Sequence, residues 1–428
     1  MTSKPIVIAA AGALLVGGAW TVPAHAQQKV ELGHLADDSG PTSDVGKPYG
    51  EGVDDAIAYI DKHGGAGGKL QLHVDTRDYG YQVPRAIAAY KEWTSSSVAA
   101  IFGWGTADTE ALISFVTKDK IPYMSASYAG ALTDPVGHAD KTAAPFNFFY
   151  GPSYSDANRG LIQWALDDWK KKGKPGAPKY VHMGANHPYP NAPKAAGEAY
   201  AKELGFEVLP AIQFPLAPGD FTAQCLTLKQ SGANYAYLGN TGGSNVSILK
   251  ACQTAGVDVQ FLGNVWGMDE NAAKAAGTAA NGVAFPLRTG AVWGDNVPGM
   301  AIVKEVAKQS DPSGANYRPI HYLAGICTAF YMSEAIATAA QKGKVTGPAI
   351  AEAFYVKKDW VPKGLEGVCR PSTWTAEDHR PTTEVEVYRA AVDGPTDAPV
   401  GELVQKGVIK LQKAATINLP RKPEWLGW

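Results

Sequence analysis

The residues with chemistry to offer are hydroxyls, amides and aromatic rings set in loops. Thr106 follows Gly103-Trp104-Gly105, where the apolar run Val98–Phe102 gives way to a helical segment. A threonine there can cap the helix. The free N–H groups of a helix start also suit a carboxylate. Trp104, Tyr128, Tyr189 and Trp266 lie in comparable loops. Such rings stack on a flat or apolar solute, or on one another. Arg288 can neutralise an anion or sit in an internal ion pair. Asp37, Asp38 and Asp108 can accept hydrogen bonds from a solute, or serve the turns and caps that favour Asp.

Catalytic and metal motifs are missing from the sequence. It has no GxSxG, HExxH or P-loop. His182 and His187 flank one loop, yet no His or Cys cluster has metal-ligand spacing. Gly103-Trp104-Gly105 lacks the third glycine of a dinucleotide fingerprint and follows the wrong strand. A binding protein is therefore expected, with no catalytic residue, cofactor or metal.

These loops are positioned by alternating strands and helices. Val30–Leu35, Leu70–Asp75, the buried run from Val98 and Ile121–Met124 read as strands. A helix to about His63 is expected with Pro48 in its first turn. Another follows over Pro84–Thr94, and a third places Leu112, Phe115 and Val116 on one face. The rhythm restarts after Thr133–Pro152. Strands over Tyr180–Gly184, Glu207–Ile212, Tyr235–Leu238 and Phe261–Leu262 alternate with helices stopped by Gly205, Gly232 and Gly256. This is the pattern of parallel α/β sheets, and two runs imply two lobes. His321–Gln341 reads as a long helix with Tyr322, Ile326, Phe330 and Ile336 towards the core. Pro348–Phe354 reads as a helix and Glu384–Ala391 as a strand. The last forty residues read as a short element and a tail. Parallel sheets bind ligands at the carboxyl ends of their strands. The loops to inspect are Ala36–Asp44, Gly103–Thr109, Ser125–Thr133, Ala185–Asn191, Gly239–Asn245 and Gly263–Asp269.

Of the 428 residues, 39 are Lys or Arg and 41 Asp or Glu, which speaks against nucleic acid or an anionic membrane surface as partner. Lys4, the apolar run Ile6–Trp20 and Ala24-His25-Ala26 form an export signal, with cleavage expected after Ala26. No later segment is expected to reach membrane-spanning length. Export to an oxidising compartment makes disulfides the natural state of Cys225, Cys252, Cys327 and Cys369. Four cysteines allow three pairings. Cys225 and Cys252 lie on consecutive helices that a right-handed crossover sets side by side. That favours Cys225–Cys252, leaving Cys327–Cys369.

Several pieces in their order carry a resemblance. They are Ser39-Gly40-Pro41, Gly50-Glu51-Gly52, Ile60 through Leu70 with its Gly64-Gly65-Ala66-Gly67-Gly68, Ile101-Phe102-Gly103 with Thr106–Thr109, Ile121–Ser125, Ala131-Leu132-Thr133 and Gly219–Thr222. The chain resembles the type I periplasmic binding proteins of the leucine/isoleucine/valine-binding kind, which feed ABC importers. The resemblance implies an α/β fold of two lobes, each a mainly parallel sheet flanked by helices, joined by three crossings. One lobe would hold 27–149 and 286–370, the other 150–285 and 371–428. Closure of the lobes on a ligand is the implied motion.

Family positions transfer one at a time. The hydroxyl that grips a ligand carboxylate matches Thr106, and the next loop matches Ala126, Ser127 and Tyr128. The aromatic covering the ligand from the second lobe matches Tyr189. A second aromatic of that lobe falls near Thr241, a departure. The acid that pairs with an amino acid's ammonium falls near Val265-Trp266, a second departure, with Asp269 close but out of register. Tyr150 and Trp293 lie near crossings, as does Arg288. The expected ligand is a small carboxylate with an apolar or aromatic body. A branched-chain amino acid, or an amide or urea, is the alternative. The implied partners are an inner-membrane permease with its ATPase, the chain itself being a monomer. A ligand-sensing subunit of a membrane receptor is the competing role.

Overall fold

The computed structural model describes residues 1–2, 4, 28–138 and 142–428. Apart from residues 1, 2 and 4, the export signal and its cleavage point lie outside the described residues.

The first sheet contains β1 (Gln28–Ala36), β2 (Leu70–Asp78), β3 (Ala100–Gly103), β4 (Tyr123–Ser125) and β5 (Asn147–Phe148), all parallel, in the order β2-β1-β3-β4-β5. Helices α1 (Ser43–Lys62), α2 (Val83–Ser95) and α3 (Thr106–Asp119) connect them. β3 is buried at every residue, as a strand covered on both faces must be.

The chain then passes to a second sheet through α4 (Tyr154–Lys171) and β6 (Lys179–Gly184). Beyond the one-turn α5 (Pro188–Asn191) and α6 (Lys194–Glu203) come β7 (Glu207–Val208), β8 (Ile212–Gln213), α7 (Thr222–Ser231), β9 (Tyr235–Leu238), α8 (Gly242–Thr254), β10 (Gln260–Gly263), α9 (Glu270–Ala276) and β11 (Ala284–Leu287). Gly232 ends α7 with a φ of +65°, which costs a glycine little. Helices α10 (Met300–Ala307), α11 (Ile320–Gln341) and α12 (Gly347–Phe354) return to the first sheet's core, where α11 packs along α1. Finally β12 (Glu384–Val392), α13 (Val400–Gln405) and β13 (Ile409–Asn418) complete the second sheet, in the order β13-β12-β11-β10-β9-β6-β7 with β8 also paired to β6. Only β12 and β13 join it antiparallel.

Several expectations need correction. Helix α1 starts at Ser43, so Pro48 stands inside it rather than in its first turn. Glu207–Ile212 is two short strands, because Pro210 interrupts the ladder. Phe115 is exposed while Leu112 and Val116 are buried. The C-terminal region carries a ten-residue strand, β13, not a short element and tail. Its lysines suit it to the sheet edge. Helix α11 does reach spanning length, at 22 residues with mean hydropathy 1.3, but 78% of that stretch is buried inside the fold. Tyr322, Ile326, Phe330 and Ile336 are among its core side chains.

Both favoured disulfides form. Cys225–Cys252 ties α7 to α8, and Cys327–Cys369 ties α11 to the segment leading to β12. They close loops of 27 and 42 residues. Replacing Cys225 and Cys252 together by serine should lower the unfolding free energy by about 3.5 kcal/mol through loop-closure entropy. Urea titration of the paired variant checks this, and an unchanged midpoint would contradict it.

Candidate functional site

Each sheet has one point where its strand order reverses. In the first it lies between β1 and β3, in the second between β6 and β9. A crevice opens outside the carboxyl ends of strands at such a point. Thr42, Trp104, Gly105 and Thr106 stand at the first reversal, Tyr189 and Thr241 at the second. These six, with Tyr81, Ala126, Tyr154 and Trp266, line one cavity between the sheets, of about 10 Å³. That is roughly the room of one water. Larger open grooves, about 640 Å³ beside α4 and about 1070 Å³ beside Trp293, lie away from both reversal points.

The first-sheet wall is held by hydrogen bonds between loops. Trp104 Nε1 donates to Thr42 Oγ1 (2.9 Å), whose hydroxyl donates to Asp37 Oδ2 (2.5 Å). Asp37 also accepts from the Gly40 and Thr42 amides, so it builds the turn and does not face a solute. Thr106 opens α3 with Gly105 as its cap, and its Oγ1 lies 2.8 Å from Ser127 Oγ. Asp108 accepts from the Gly105 amide (3.2 Å) and the Tyr79 hydroxyl (2.8 Å). It is a cap rather than a ligand group. Burial pushes its carboxyl up to about 7 despite those bonds. The Ala126 amide is already bonded to Gly103 O (2.9 Å), and its carbonyl accepts from the Tyr154 hydroxyl (3.2 Å).

On the opposite wall, Asn240 and Asn264 tie the loops together. Asn240 Oδ1 accepts from the Ala185 amide (2.9 Å), and Asn264 Oδ1 from both the Tyr189 hydroxyl (2.7 Å) and the Trp266 amide (2.8 Å). Thr241 precedes α8, and Asp44 of α1 reaches across to accept from the Gly243 amide (2.6 Å). A carboxylate of one lobe thus meets the positive end of a helix of the other.

Trp266 dominates the middle. It comes from the loop after β10 yet belongs to the first sheet's hydrophobic core. Its ring meets Trp104 (4.8 Å between centroids), Tyr49 (5.5 Å) and Tyr128 (5.7 Å), and its Nε1 donates to the Tyr154 hydroxyl (2.9 Å). The Arg288 guanidinium lies over the ring, 3.7 Å from its centroid. Arg288 donates to Val265 O (2.6 Å) and His321 Nδ1 (2.8 Å). It is not among the residues that line the cavity. Burial and the nearby Arg288 push the His321 pKa far down, leaving a neutral ring that can accept that bond.

The structure brings Trp104, Thr106, Ala126, Tyr189, Thr241 and Trp266 to the cavity wall. Ser127 and Tyr128 support it from behind. Four residues stand elsewhere. The Tyr150 hydroxyl accepts from the Arg370 amide at a crossing (2.8 Å). Asp269 caps α9 through the Ala272 amide (2.7 Å). Burial, with Glu270 alongside, raises its carboxyl pKa. Arg288 backs Trp266, and Trp293 sits half-buried beside Tyr317. Sequence reasoning missed Thr42, Tyr81, Gly105 and Tyr154 as wall residues. Thr42 and Gly105 lay inside inspected loops. Tyr81 follows β2, an edge strand away from the reversal point, and Tyr154 opens α4 just past a crossing. Among the described residues, no group of three His, Cys, Asp or Glu side chains is placed to hold a metal ion.

Two outcomes follow from these contacts. The Asp108 pKa is raised on folding, so between about pH 4 and 7 the folded chain binds a proton the unfolded chain lacks. Stability should then fall by about 1.4 kcal/mol per pH unit across that window from this group. In Asp108→Asn that component should vanish. Denaturation at several pH values checks it, and an unaltered slope would rule it out. Removing the indole in Trp266→Ala should cost about 3–5 kcal/mol and loosen the lobes, seen as a larger radius of gyration in X-ray scattering. An unchanged radius would mean that Trp266 does not hold them together.

A family profile described as periplasmic binding protein matches residues 29–395. No curated protein matches the chain in a sequence search. Among solved structures, an ABC transporter substrate-binding protein of Aeropyrum pernix is 26% identical, with a TM-score of 0.76 over 93% of this chain and 98% of that one. A branched-chain amino acid ABC transporter protein of Thermus thermophilus, with bound valine, shares 20% identity and a TM-score of 0.76 over 92% and 97%. A fatty acid ABC transporter substrate-binding protein of Thermomonospora curvata shares 18% and 0.73 over 90% and 92%. At those two identities the likeness is one of fold. With the profile spanning most of its length, the chain belongs to the periplasmic binding protein family.

Proposed function

We propose that this chain is the solute-capturing component of an ABC importer, working in the periplasm after export and cleavage behind Ala26. Its jaws are lobe 27–149 with 286–370 and lobe 150–285 with 371–428. It acts as a monomer that presents its closed form to a membrane permease driven by an ATPase. The Aeropyrum relative is named as such a component. Nothing on the cavity wall pairs a nucleophile with a base, which favours binding over turnover.

The observation that carries the ligand reading is the wall itself. None of its ten residues is acidic or basic. Trp266 stands where the family's ammonium partner would fall, and Asp269, which caps α9 through one oxygen, is not among the wall residues. A solute with an ammonium group would lie there without a counter-charge, which burial makes costly. A carboxylate, by contrast, finds the start of α3 and the Thr106 hydroxyl. We therefore assign the site to a small carboxylate whose apolar body lies against Trp104, Tyr189 and Trp266. The Thermus relative holds valine, so the branched-chain amino acids are the comparison that matters, followed by amides and urea.

Thermal unfolding of the mature chain against these four classes tests the assignment. A ligand at a hundred times its Kd should add about 2.7 kcal/mol. Stabilisation by short carboxylates is expected, and Thr106→Ala should weaken it about tenfold, the worth of one hydrogen bond to a charged group. Stabilisation by amino acids alone would show that an ammonium acceptor exists and would sink the ligand reading.

A further inference from the structure

Tyr81 is one of four wall residues that neither strand-order reversal supplies. It follows Gly80 in the turn after β2, and both residues have φ of +58°. For a tyrosine this left-handed conformation is unfavourable. The fold accepts it, and Tyr81 becomes part of the cavity wall. Tyr81 lines the space together with Gly105 and Thr106, the cap and first residue of α3. A Cβ on Gly105 would come within 2.3 Å of the Tyr81 Cε2 atom. Only the missing side chain at 105 lets the ring lie so close to the helix start. Burial pushes the Tyr81 phenol pKa well up, and the Thr106 backbone opposes this only in part. On its other side the ring meets His187 of the second lobe, with 5.3 Å between centroids.

We propose that Tyr81 is a specificity-determining residue of the site: its phenol covers the α3 start that a solute's head group must take, and a solute binds by displacing it. This rests on the reading of the cavity as a solute site. A phenol hydroxyl is a neutral partner for the helix end. A carboxylate brings full charge to the same amides and forms the stronger, charge-assisted bond. A neutral amide brings no more than the phenol already gives. Tyr81 thereby sets a threshold that anions pass and their neutral isosteres do not. Its contact with His187 means that displacement also alters a contact between the lobes.

The test uses the full mature chain, with Tyr81→Phe and Tyr81→Ala. Amide hydrogen exchange over Trp104–Thr109 is followed by mass spectrometry, first without additive, then with propionate or propionamide. In Tyr81→Ala, exchange at this segment should quicken about tenfold while the later turns of α3 keep their rates. Propionate should restore protection at about a tenth of the concentration the wild type needs, since no group has to be displaced. In Tyr81→Phe, which keeps the ring, the preference for propionate over propionamide should shrink. Equal exchange in wild type and Tyr81→Ala would overturn the proposal, as would a preference untouched in both variants. Faster exchange that neither additive reverses would keep Tyr81 as the cover of α3 and overturn the carboxylate assignment instead.

Discussion

One indole decides how the two lobes of this molecule sit. Trp266 is carried by the second sheet and buried in the first sheet's core, between Trp104, Tyr49 and Tyr128 and beneath the Arg288 guanidinium. A buried tryptophan removes roughly 150–250 Å² from water, and offset or edge-on ring contacts add to that. Tyr189 and Val265 of the second lobe enter the same core beside it. Asp44 on the Gly243 amide is a single hydrogen bond at an exposed rim. Tyr81 against His187 is one pair of half-buried rings. The position of the wall residues therefore depends on where the loop after β10 delivers its side chain.

That delivery is controlled by amide groups more than by rings. Asn264 Nδ2 donates to Leu238 O and Asn240 O, while its Oδ1 takes the Trp266 amide and the Tyr189 hydroxyl. One side chain thus satisfies backbone groups of two strand ends and fixes two wall aromatics. Buried networks of this kind specify geometry because every unmade bond would cost desolvation. Arg288 is the uneasy member. Its charge is buried with a carbonyl, a neutral imidazole and an indole face as neighbours. A guanidinium suits this place better than an ammonium would, being planar and weakly hydrated.

Much of the architecture is legible in the sequence because it is written locally. The apolar run at β3, the glycine that ends α7 and the cysteines on α7 and α8 each announce a local structure or a near neighbour. The loops at the strand-order reversals follow from chain alternation alone, and six of the ten wall residues come with them. What the sequence conceals is set by tertiary context. Pro48 reads as a helix start, although α1 has already begun at Ser43. The strand β13 exists because β12 offers it an edge to pair with. Tyr81 reaches the cavity through a left-handed turn that its residue type argues against. Of the aromatics singled out, Trp104, Tyr189 and Trp266 do line one cavity. The sequence could not tell that Trp266 would have Trp104, Tyr49 and Tyr128 as partners in place of a solute.

This last point bears on how such jaws can respond to a solute at all. A ligand shifts a conformational equilibrium only by the difference in its affinity for the two states. With the lobes in contact as here, the protein's own rings supply most of the buried surface, and the cavity is about 10 Å³. Closure is then favoured by contacts the chain makes with itself, and a solute that fits only a wider form would oppose it. A solute can reinforce closure only by replacing some internal contact with a better one at the same place. The wall offers few such places. The rings around Trp266 already meet one another at good distances, and a solute's apolar body would gain little by exchanging one stacked face for another. The helix ends differ, because a neutral group there leaves electrostatic attraction unused, and charge is what a carboxylate adds. The polar head, more than the apolar body, must then supply the differential affinity.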